Sequence, residues 1–106
     1  MIKLSTDTEK LIDCLFEKED ERKMIRHLLE SRCSNNIPNC KNKSPEGMER
    51  IRFSVIKLTK EGINEIDVWL DLAHTDWRDL FMAADFGRDI EAHLKWKKKV
   101  LTNGVV

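Results

Sequence analysis

A chain of 106 residues with only 4 glycines and 2 prolines has few places to turn. Sheets of short strands need frequent turn residues. A chain poor in them and rich in Lys, Glu and Leu is directed toward helices instead. The apolar residues recur at helical spacing. Leu11, Ile12, Leu15 and Phe16 form one stripe, and Met24, Ile25, Leu28 and Leu29 form a second. Between them, "EKEDERK" (17–23) offers nothing to bury, so a break near Lys18–Asp20 and two short helices are expected. Thr6 and Glu9 stand at capping-box spacing for the first of these, and Cys14 falls in its apolar stripe as a small hydrophobe.

Residues 31–47, "SRCSNNIPNCKNKSPEG", have no periodicity and read as a long loop. Ser44–Pro45–Glu46 then reads as a helix start. Met48, Ile51, Val55 and Leu58 follow at helical spacing, although "IRFSVIKL" also alternates as a strand would. The capping residues and the want of a second strand decide for helix. Gly62 is expected at the C′ position closing it, and Asn64 as the next cap, before Ile66, Leu70 and Ala73. Thr75 or Asp76 opens "WRDLFMAADF", Gly87 closes it, and Asp89 caps "IEAHLKWKKKVL". In that last helix Ile90, Leu94 and Leu101 lie on one side, with His93, Trp96 and Val100 on another. The expected fold is all-α, one domain holding a compact bundle of five or six short helices.

Net charge is zero, with 19 basic and 19 acidic residues, which argues against a sequence-independent polyanion binder. The charges are nonetheless segregated. Residues 62–94 carry eight acids against Arg78 and Arg88, whereas "KWKKK" (95–99) carries four lysines. "MIKLSTDTEK" lacks an apolar signal segment, no run is long enough to cross a membrane, and three cysteines without a CxxC pair suit a reducing compartment. A cytoplasmic protein is expected.

Chemistry is weakly signalled. A metal at His74 would draw on Asp71 and Asp76, but no HExxH or ExxH pattern supports it, and aspartates there suit helix starts. Cys33 and Cys40 with His27 lack the tight pairs of structural zinc sites. There is no GxSxG elbow and no glycine-rich phosphate cradle, so neither an enzyme nor a cofactor is expected. A helix-turn-helix can be laid on residues 79–99, with Ala83 and Gly87 at its turn. It would contact nucleic acid through Arg88, Lys95, Lys97, Lys98 and Lys99, although Asp89 and Glu91 would repel phosphates. All three tryptophans, Trp69, Trp77 and Trp96, lie in the C-terminal half, where an exposed one could anchor a partner.

The segment "ERIRFSVIKLTKEG…DWRDLFMAADFG" (49–87) resembles the core of small uncharacterised bacterial proteins. These carry an "ERIRF…KL" helix followed by a "DWRDLL…AGFG" segment. The resemblance implies a bacterial source and one helical unit, and no activity. The expected function is a non-enzymatic protein-binding module, a regulator, adaptor or immunity-type inhibitor. Its expected docking surface is acidic, built from Asp71, Asp76, Trp77, Asp79 and Asp85, for a partner that is basic.

Overall fold

The computed structural model describes residues 3–34, 37 and 45–103. Six α-helices form one bundle with no strand among the described residues: α1 (Thr6–Leu15), α2 (Glu19–Arg32), α3 (Pro45–Glu61), α4 (Ile66–Thr75), α5 (Trp77–Ala83) and α6 (Ala92–Asn103). A 3₁₀ turn, Ile63–Glu65, leads into α4. No described helix is long and apolar enough to cross a membrane.

The cap of α1 lies one residue before the expected one. Ser5 accepts from the Thr8 amide at 3.1 Å, and the two hydroxyls meet at 2.8 Å. Thr8 at N3 therefore takes the role expected of Glu9. Leu11, Ile12 and Phe16 enter the core, whereas Cys14 faces out. Cys14 is thus not the buried hydrophobe its stripe suggested, because the buried arc of α1 is too narrow to include it. Two helices form here as expected, but the break falls at 16–18, slightly before the expected Lys18–Asp20, and α2 already holds Glu19 and Asp20. Its charged residues have a task there. Arg22 donates from Nε to the Phe16 carbonyl at 2.5 Å and from Nη2 to the Asp13 carbonyl at 2.9 Å. A cation thereby satisfies carbonyls that the end of α1 leaves without intrahelical partners. Arg26 ties the same turn through the Asp13 carboxylate.

Helix α3 is the axis of the bundle and packs against α1, α4, α5 and α6. Every residue from Ile51 to Ile56 is buried, including Arg52 and Ser54. This explains its strand-like look: a helix covered on all sides has no polar face to show a 3.6-residue period. Arg52 donates to the carbonyls of Leu29, at 3.4 Å, and Cys33, at 2.9 Å, and so holds the end of α2. It also reaches Lys3 O and Ser34 Oγ, each at 3.0 Å.

Several of the expected helix boundaries differ. Gly62 is extended, at φ −171°, rather than left-handed, and α4 follows the 3₁₀ turn without a side-chain cap from Asn64. The start of α5 does fall on one of its two expected caps: Asp76 accepts from the amides of Arg78 at 3.0 Å and Asp79 at 3.3 Å. Thr75 instead donates back to the Asp71 carbonyl. Finally, α5 stops at Ala83, four residues before Gly87. Asp85 takes the left-handed conformation at φ 68°, Phe86 N–H bonds Phe81 O at 2.9 Å, and Asp85 N–H bonds Met82 O at 3.1 Å. That pattern is a Schellman closure with an aspartate at C′. Gly87 is left-handed as well, at φ 56°, and steers the chain toward α6. Lys57 completes the end of α5 by donating to Ala84 O at 2.6 Å. Asp89 accepts from the Glu91 amide, but α6 becomes regular only at Ala92.

Of the two sides of α6, the core takes His93, Trp96 and Val100, while Ile90 and Leu94 are exposed. His93 and Trp96 pack against Phe53 and Phe86, with ring centroids 5.6 to 6.3 Å apart. Among the described residues, neither nitrogen of His93 has a hydrogen-bond partner.

Candidate functional site

The most developed surface feature lies where α5 and the turn after it meet α3. Trp77 and Phe81, one helical turn apart, share a side of α5 with ring centroids 5.5 Å apart and planes at 56°. The Arg78 guanidinium lies 5.4 Å from the Trp77 ring, and the Arg50 guanidinium, arriving from α3, lies 4.0 Å from the Phe81 ring. The four side chains form a ladder of cation, aromatic, aromatic, cation, each step within range of cation–π or ring attraction. Met82, 63% exposed, and Arg88 border a cavity of about 560 Å³ beside this ladder.

The electrostatics of this groove are one-sided. Arg50, Arg78 and Arg88 line it and, among the described residues, no carboxylate does. None of the three has an ion-pair partner among the described residues. Arg50 is fixed by donating from Nη2 to Gly87 O at 2.9 Å, and burial pushes its pKa down, offset in part by Asp89. The Asp89 carboxylate itself is turned elsewhere. It accepts from the Glu91 amide, which holds its pKa down, and pairs with Lys95 at 3.5 Å.

The residues expected to form an acidic docking surface are divided. Asp71, on α4, pairs with Arg32 of α2 at 2.5 Å, and Asp67 pairs with the same guanidinium at 2.6 Å. The Asp76 carboxylate is engaged as the α5 cap. Asp79 and Asp85 are exposed, but Asp85 belongs to the turn rather than the helix. Trp77 is half-buried and faces the arginines, so its charged neighbours in the groove are cationic rather than acidic.

His74 is occupied too, with Nε2 donating to the Arg32 carbonyl at 2.5 Å. Among the described residues, no three His, Cys, Asp or Glu side chains gather as a metal would need. Cys33 is buried, and the low dielectric pushes its thiol up to about 12, which suppresses the thiolate form. Cys40 lies outside the described residues.

The helix-turn-helix geometry is not formed. Ala83 is exposed rather than at a helix crossing, eight residues (84–91) separate α5 from α6, and α6 packs on α1 and α3. Of its basic residues, Lys97 pairs with Asp7 at 3.0 Å and Lys95 with Asp89, while Arg88, Lys98 and Lys99 are exposed.

Of the groove residues, the sequence points only to Trp77 and Arg88; Arg50, Arg78, Phe81 and Met82 are not expected there. The spacing of Trp77 and Phe81 was visible, but Arg50 stands on another helix and only the packing of α3 on α5 brings it there. Comparison with known proteins adds no identity: no family model matches the chain, and no curated protein or solved structure matches it either.

Proposed function

We propose that the protein is a non-enzymatic, cytoplasmic protein-binding module that docks its partner on the outer side of α5 and the turn after it. The observation that carries this reading is the pairing of a strongly exposed Met82 with the half-buried Trp77, stacked on the buried Phe81, around a groove. Exposed methionine, tryptophan and arginine side by side are the composition of an interface centre rather than of ordinary surface. The exposed thiol of Cys14 suits a reducing compartment. Binding by α6 to nucleic acid is the weaker alternative, because two of its lysines already have carboxylate partners and the helix lies flat on the bundle.

A photo-crosslinking residue placed at Met82, with a control at Val68, tests the docking face in the native host. Val68 is also an exposed apolar residue, on α4. Adducts with a defined protein at position 82 and none at 68 support the face. Equal labelling at both positions, or none at 82, overturns it.

A further inference from the structure

Building on the docking face proposed above, and resting on it, we infer that the groove receives an acidic segment of the partner: an aspartate or glutamate beside a bulky apolar side chain. This reverses the charge expected from the sequence, where the acidic balance of residues 62–94 calls for a basic partner.

Charge complementarity carries the inference. Three guanidiniums converge on one cavity, none is neutralised by a carboxylate among the described residues, and the Asp89 carboxylate, next in the chain to Arg88, is spent on Glu91 N–H and Lys95. Arginine forks match carboxylates in a bidentate geometry that lysine cannot offer. Arg50 and Arg78 already lie over rings, so less side-chain freedom is lost when they bind. The rest of the cavity is Trp77, Phe81 and the exposed Met82, which calls for an apolar body beside the anion. About 560 Å³ accommodates a side chain or two, at the small end of ligand cavities.

The surroundings favour a short acidic segment over a nucleic acid. Asp79, Asp85, Asp89 and Glu91 are all exposed on α5 and the turn that follows it. A phosphodiester backbone crossing the groove would run past them and be repelled, whereas a single carboxylate reaches the arginines alone. The groove is a small basic island in an acidic shore.

The test pans a displayed library of random short peptides against the intact protein and against the Arg78→Glu/Arg88→Glu variant. Both substituted residues are exposed, and circular dichroism verifies that the variant stays folded. On the native protein, enriched peptides should carry Asp or Glu within a few residues of Leu, Met or an aromatic. A synthetic enriched peptide should bind the variant at least about tenfold more weakly and lose affinity as salt rises. Peptides without acids, equal binding to both proteins, or no enrichment at all overturns the inference. So does displacement of the peptide by a short oligothymidylate that itself requires Arg78 and Arg88, which would assign the groove to single-stranded nucleic acid. Crosslinking at position 82 is read separately. Capture there without a preference for acidic peptides removes this inference and leaves the docking face standing.

Discussion

Arg32 is joined to the helix that carries His74 through both its main chain and its side chain. The His74 ring donates to the Arg32 carbonyl, while the Arg32 guanidinium grips Asp67 and Asp71 on the same side of the helix that carries His74. Positions 67, 71 and 74 share one face of α4, so a single residue at the end of α2 engages three successive points along it. The end of α2 also gains what a C-terminus favours, a donor for its last carbonyls.

Because both carboxylates are well exposed, this clasp should contribute modestly. Replacing Arg32 with Ala should cost about 0.5–1 kcal/mol in urea unfolding at low salt, and less at high salt. A double-mutant cycle of Arg32→Ala with Asp71→Asn should show coupling. Strict additivity of the two substitutions would mean the pair adds nothing.

Arg52 should behave quite differently, since it is buried and donates to the carbonyls of Lys3, Leu29 and Cys33. Arg52→Leu leaves those acceptors buried without this donor, and should cost about 2–4 kcal/mol. Chemical denaturation measures this directly, and a loss comparable to that at Arg32 would deny Arg52 its structural role.

His93 sets an acid limit on stability. Burial, with Arg50 nearby, lowers its pKa below the ordinary 6.5. Protons therefore enter the unfolded chain at a higher pH than they enter the folded one. Its share of stability is intact above pH 6.5 and drains away as pH falls from there toward the lower folded value. Unfolding free energies at neutral and mildly acid pH should diverge in the wild type and converge in His93→Leu. An unchanged slope in the variant would exonerate His93.

Gly62 and Gly87 invite opposite substitutions. Alanine at Gly62 meets extended backbone and open space, and should be neutral or stabilising by up to about 0.5–1 kcal/mol. Alanine at Gly87 meets φ 56°, and should cost about 1 kcal/mol from backbone strain alone, since no atom crowds the site. Thermal melts of the two variants, run side by side, should move in different directions or differ plainly in size.

What the sequence revealed follows how local each determinant is. The break between α1 and α2, the Asp76 cap and the six helices are written in neighbouring residues. Gly87 was a reasonable stop for α5, yet Asp85 closes it, because aspartate tolerates the left-handed region and Phe86 needs that geometry to reach the core. Asp71 looked like free surface charge because its partner is Arg32, 39 positions away. Trp77 looked acidic by neighbourhood for the same reason: the arginine opposite Phe81, its stacking partner, comes from α3.

The enclosure of α3 also sets how the protein can come apart. A helix buried from Ile51 to Ile56 beneath α1, α4, α5 and α6 loses cover whichever neighbour leaves, so no subset of helices makes a stable remainder. Opening is all or none at this axis. Amide protons of α3 should exchange only when the whole domain unfolds, and those of α5, which covers one flank of that axis, should exchange with them.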